Sequence, residues 1–167
     1  MFHASRVDGV PYFINGNSGK TPSAAATDGG FWGWTMFGVD PVTPAEAAWA
    51  RQDPWTTTIR WVSAQTMARV DGLDLVAPAA VPLGTSALVT ASVRQGDRVS
   101  PVASPLSADW SGSANVHLGS IFGLRPGHIA WFDPASGRLY PLRPGTLTLS
   151  VTVNNVTTSS EVPISAP

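Results

Sequence analysis

The chain has 167 residues, an ordinary hydrophobic share of 43%, a low charged share of 13% and a formal net charge of -1. That length suits one domain, or one small domain with a piece of another. The near-neutral balance, with Lys20 as the sole lysine, argues against nucleic acid as a partner, because phosphate backbones call for a basic face. With no cysteine, disulfides, thiolate metal sites and cysteine nucleophiles are excluded. No apolar run reaches transmembrane length, and the opening MFHASRVDG lacks the basic and apolar regions of a signal peptide.

In chain order, the first element is the strand VPYFI, entered through an Asp8-Gly9 turn and closed by Asn15-Gly16. The following Gly19-Lys20-Thr21 invites comparison with a phosphate-binding loop. That loop needs a glycine five residues before Gly19, where Ile14 stands, and Pro22 falls where its helix would begin. A strand ending in a tight turn is the better reading. The loop TPSAAATDGG leads to FWGWTMFGVDP, which gathers Phe31, Trp32, Trp34, Met36 and Phe37 and reads as an aromatic-rich loop that must cover, or be covered by, another surface. In TPAEAAWARQDP, Thr43 is placed as N-cap, Pro44 as the first helical residue and Glu46 as the capping-box partner, predicting one short helix that stops at Asp53-Pro54. TTTIRWVSAQTMARV then reads as a strand or extended connector.

From about Val70 the pattern changes to short β-rich runs separated by turns. LDLVAP and SALVTASVRQ flank Pro82-Leu83-Gly84; Gly96-Asp97 turns a hairpin; SADWSG, ANVHLGS and the HIAWF–RLYPL pair around Asp133-Pro134 follow. GTLTLSVTV puts Leu147, Leu149, Val151 and Val153 on one face against serine and threonine on the other, and Asn154-Asn155 returns the chain through VTTSSEVPIS. About seven strands spaced in this way predict an antiparallel β-sandwich. The fold class expected is thus mainly β, with a short α+β segment over residues 1–69 ahead of a sandwich over residues 70–167.

No catalytic set emerges. His117 and His128 stand eleven residues apart with no carboxylate nearer than Asp109 and Asp133, and His3 is alone at the start, whereas a dinuclear metal site needs several converging ligands. Gly-x-Ser-x-Gly is absent, and Asp71 and Asp74 read as a turn at the boundary between the two parts. Asn155-Val156-Thr157 has the form of a glycosylation acceptor on a hairpin tip. The residues that stand out are Trp32, Trp34 and Phe37. They fit either a sugar-stacking platform or a packing face, against a further catalytic body or between the two parts of this chain; packing is preferred, because apolar clusters at the boundary of a part are usually interface.

Two resemblances rest on these segments. GRLYPLRPGTLTLSVTVNNVTTSSEVPI, with Gly137, Arg143-Pro144-Gly145-Thr146, the alternating strand and the Asn-centred hairpin, resembles the end of a bacterial Ig-like domain of the group-2 type, and SADWSGSANVHL places Trp110 as its core tryptophan. RVDGVPYFINGNSGKTP resembles the strand that follows the last metal-binding motif of secreted actinobacterial calcineurin-like metallophosphoesterases, through Asp8-Gly9-Val10, Tyr12 and Asn15-Gly16. The resemblance implies the C-terminal portion of a phosphoric ester hydrolase, extracellular or at the cell surface, ending in an Ig-like domain that spaces, stabilises or attaches the enzyme. The family's Asp-x-His, Asn-His-Asp/Glu and Gly-His-x-His motifs are absent from the chain, and its one Gly-Asp pair, Gly96-Asp97, reads as the hairpin turn. No catalytic residue, metal ligand or cofactor is therefore carried over; a dinuclear metal centre would belong to the upstream part, and the chain alone is expected not to be an enzyme. The implied partner is that upstream catalytic domain. The alternative is an Ig-like module that binds a cell-surface glycan or protein through the tryptophan cluster.

Overall fold

The computed structural model of the chain describes residues 1–8, 10–16, 21–39, 43–45, 48 and 62–166. The fold is mainly β, in several largely antiparallel sheets that build a sandwich-like body. Two hairpins come first. β1 (His3–Val7) and β2 (Val10–Ile14) pair from His3↔Ile14 to Val7↔Val10, with Asp8 at φ +49° in the connecting turn. β3 (Gly33–Val39) and β4 (Val62–Ala68) pair from Gly33↔Ala68 to Val39↔Val62.

The aromatic stretch expected as a loop is therefore a strand. Its backbone N–H and C=O groups find partners in β4, which an irregular path through seven residues would have left without partners. The helix expected after Thr43 lies mostly outside the described residues; Pro44, Ala45 and Ala48 have helical backbone. Asn17–Lys20, the turn compared with a phosphate loop, also lies outside them.

The remaining strands are β5 (Gly72–Val76), β6 (Val81–Pro82), β7 (Ala87–Leu88), β8 (Thr90–Gln95), β9 (Arg98–Pro101), β10 (Asp109–Gly112), β11 (Val116–Leu118), β12 (Ala130–Asp133), β13 (Arg138–Pro141), β14 (Gly145–Val153) and β15 (Val156–Ser165). They form sheets ordered β10-β14-β15-β6, β11-β12-β13-β7 and β5-β8-β9. The two four-stranded sheets enclose one core, in which Val116, Ala130, Phe132 and Leu139 meet Leu147, Leu149, Val162 and Ile164. A second core lies at the other end of β14, where Val151 and Val153 pack with Ala91, Val93 and Leu106, and with Phe2, Phe31 and Ala68 from the first part of the chain.

Four details depart from the expected antiparallel sandwich of about seven strands. SALVTASVRQ is not one strand: the chain changes sheet at Val89, so that β7 pairs with β13 while β8 pairs with β5 and β9. Val89 is buried and its N–H donates to the Gly137 carbonyl at 2.8 Å. Gly137 sits at φ +67°, and a Cβ there would fall 2.7 Å from the Val89 oxygen, so this corner requires glycine. Two pairings, β11 with β12 and β15 with β6, are parallel. Asp74, expected in a turn, lies inside β5 opposite Ser92 and forms an ion pair with Arg94 at 2.7 Å. Trp110 is half-buried rather than enclosed. It bridges the rims of both cores, 4.9 Å from the fully buried Phe132.

Candidate functional site

The first part of the chain is fastened to the sandwich by polar contacts as well as by Phe2 and Phe31, whose rings stack at 4.6 Å. Gln95 is fully buried at the end of β8. Its Oε1 accepts the Trp32 N–H at 2.8 Å, and its Nε2 donates to the Trp32 and Arg69 carbonyls at 2.6 and 2.7 Å. The Arg98 guanidinium donates to the carbonyls of Pro22, Ala24 and Gly30. Asn154 Nδ2 donates to the Ala68 carbonyl at 3.0 Å. At the junction, Asp71 Oδ2 accepts from Arg69 at 2.7 Å and from the Gly96 N–H at 2.8 Å.

Within this frame the three residues singled out in the sequence occupy different places. Trp32 is half-buried at the seam, and the Arg69 and Arg98 guanidiniums lie over its ring at 5.1 and 5.5 Å. Its ring is thus already engaged by cations. Trp34 and Met36 share one face of β3 and are 48% and 54% exposed. Phe37 points from the opposite face, is 48% exposed and meets Phe13 edge-on at 5.6 Å. That contact joins the two hairpins, and Tyr12, Phe13 and Ile14 are exposed beside it. The hairpins therefore carry apolar surface on both sides of β3, and Trp32, Trp34 and Phe37 do not form one flat platform.

Where β4, the loop before β10 and the β14–β15 turn meet, there is an open groove of about 520 Å³, lined by Gln65, Ser104, Asp109, Thr152, Asn154 and Asn155 among others. Asn154 and Asn155 hold the turn at φ +45° and +66°. The groove offers hydrogen-bonding groups and one carboxylate, a set suited to holding a polar molecule and lacking a base–nucleophile pair.

Sequence spacing did not reveal the closeness of His117 and His128, whose rings stack at 5.3 Å. The connection between the parallel strands β11 and β12 brings them together. His117 Nε2 faces the Ser120 carbonyl at 2.6 Å and so carries its hydrogen, while His128 Nδ1 accepts the Arg125 N–H at 2.9 Å and so is bare. His3 lies on β1 opposite Ile14, exposed. Among the described residues no three or more His, Asp or Glu side chains group as a metal cage, and no helix is long and apolar enough to cross a membrane. Asp133 closes its turn as the sequence suggested. The Ser136 hydroxyl donates to its carboxylate at 2.5 Å and, with the Ala135 N–H at 3.1 Å, holds the carboxyl below its ordinary range.

The chain matches no protein-family model, no curated protein and no solved structure.

Proposed function

We propose that the chain is the non-catalytic C-terminal region of a secreted metallophosphoesterase, with its β-sandwich acting as an Ig-like accessory, stabilising or attachment module. The resemblance of RVDGVPYFINGNSGKTP to the segment after the family's last metal-binding motif is the sequence support. One structural observation carries the reading: the hairpins leave Tyr12, Phe13, Ile14, Trp34, Met36 and Phe37 between 40% and 54% exposed, in two joined ribbons anchored to the sandwich behind them. An apolar surface of this kind calls for a covering body, and the upstream catalytic domain supplies one. The metal chemistry that polarises a phosphoryl group and activates water belongs to that domain.

The test is to read the coding DNA upstream of the Met1 codon in frame. A Gly-His-x-His motif within a longer open frame is the expected result; an in-frame stop codon there contradicts the proposal. Metal-dependent hydrolysis of a phosphate ester by the purified chain would contradict it as well.

A second reading, a glycan-binding module, is favoured by the exposure of Trp34, since an open indole face stacks on sugar rings. It predicts that Trp34→Ala abolishes retention on cell-wall polysaccharide while the fold is kept. Retention unchanged by that substitution removes this reading.

A further inference from the structure

Because β11 and β12 run parallel, the chain between them must cross the length of the sheet. Here it does so as an irregular loop, residues 119–129, fastened along its whole course. The Gly119 N–H donates to the Phe132 carbonyl at 3.0 Å, and Trp131 Nε1 donates to the Gly119 carbonyl at 2.6 Å. Ser120 is held by His117, the Arg143 guanidinium donates to the Pro126 carbonyl, and the Ile129 N–H donates to the Asn115 carbonyl at 2.7 Å. The His117 ring lies so close beneath Gly123 that a Cβ there would fall 2.3 Å from Cε1.

A loop held in this way would be expected to turn its apolar side chains inward. Instead, at a 3-10 turn over Ile121–Gly123, Phe122 is 95% exposed and Ile121 49% exposed. Leu142, next to Arg143, is 45% exposed. Residues 117–129 and 142–145 contribute Arg125 and Arg143, both exposed, and no Asp or Glu, so this end of an otherwise near-neutral molecule is cationic.

Two observations choose the occupant. The tip presents one projecting side chain, Phe122, and one half-exposed, Ile121, far short of the roughly 800 Å² per partner that a stable protein interface uses. A bilayer needs only a short apolar wedge among its acyl chains and cations at its anionic headgroups. We propose that the 119–129 loop is a membrane-surface contact, in which Phe122 and Ile121 enter an anionic lipid interface while Arg125 and Arg143 meet lipid phosphates. This assignment uses the chain's own residues and stands apart from the phosphoesterase reading.

The absence of cysteine allows a single reporter. Phe122→Cys, carrying an environment-sensitive dye on the whole chain, is mixed with vesicles of phosphatidylcholine containing phosphatidylglycerol. A blue shift is expected, weakened by salt and smaller with phosphatidylcholine alone. In co-sedimentation of unlabelled protein, Phe122→Ala should lower vesicle affinity about tenfold. Arg125→Gln with Arg143→Gln should do the same for anionic vesicles, and Trp34→Ser should change nothing. Failure of the unlabelled wild-type chain to co-sediment with anionic vesicles overturns the proposal. So does vesicle binding that survives Phe122→Ala or is lost with Trp34→Ser; in the latter case the hairpin face is the contact. Capture of a protein partner through Phe122, with no vesicle binding, overturns it too.

Discussion

β3 and β14 are both rich in large apolar side chains, yet they meet opposite fates. In β14, Leu147, Leu149, Val151 and Val153 are each 1% exposed or less, because the sheet containing β12 and β13 covers the first two, and β8 with Phe2 and Phe31 covers the last two. In β3, Trp34, Met36 and Phe37 are about half exposed, because the strand belongs to a two-stranded ribbon that meets the sandwich mainly through β4, where Thr66 and Ala68 are buried. Such a ribbon is marginal in water by itself. Here it persists through its links to the sandwich: Gln95 and the guanidinium of Arg98 grip the approach to β3, Thr66 in the middle of β4 exchanges hydrogen bonds with Ser107, and Asn154 grips the end of β4. The comparison teaches that an apolar run announces a need for cover, and that the identity of the cover is decided elsewhere in the assembly.

The largest effect is expected where the layers are complete. Phe132→Ala should cost roughly 3–5 kcal/mol in urea unfolding and take both regions down together, since the hairpins depend on the sandwich. A substitution at the link should separate them. Gln95→Ala leaves the Trp32 N–H and the Trp32 and Arg69 carbonyls short of a buried partner and should cost about 2–3 kcal/mol. Limited proteolysis should then cut first within residues 1–69, leaving the sandwich intact; cleavage spread evenly over the chain would show that the regions are not separable.

Substitution on the uncovered face should scarcely alter stability. Trp34→Ser with Met36→Ser is expected to shift unfolding by no more than about 0.5 kcal/mol while reducing the binding of an apolar dye and any self-association. A loss comparable to that of Phe132→Ala would mean that the face is covered within the chain. The smallest effect concerns the Asp133 turn. Its carboxyl pKa is depressed in the fold, above all by the Ser136 hydroxyl. Its contribution is therefore full above the unfolded value of about 3.9 and is lost as pH falls through the lower folded value. The melting temperature of wild type should exceed that of Asp133→Asn slightly near neutrality, and the gap should close below about pH 3.9; a gap that widens in acid contradicts the assignment.

Local features were legible in the sequence. The alternation of β14, the Gly96-Asp97 and Asn154-Asn155 turns and the Asp133 turn depend on residues within a few positions of one another, so composition and period reveal them. What escaped was non-local. Nothing in SALVTASVRQ marks Val89 as the point where the chain changes sheet. The span of 63 residues between Gln95 and Trp32 has no local signature, nor does the meeting of His117 with His128. The density of aromatic residues in FWGWTMFG was visible, but as a loop it carried no sidedness. Only the pairing with β4 puts Trp34 and Phe37 on opposite faces and sets Trp32 apart beneath two guanidiniums.

Amide hydrogen exchange on the whole chain tests most directly whether the two regions differ through their cover. The account predicts that β14 and β15 amides exchange only through global unfolding, while β3 and β4 amides exchange through local opening at far lower free energy. Equal protection of β3–β4 and β14–β15 would contradict it, because the hairpin would then be as fully supported as the sandwich.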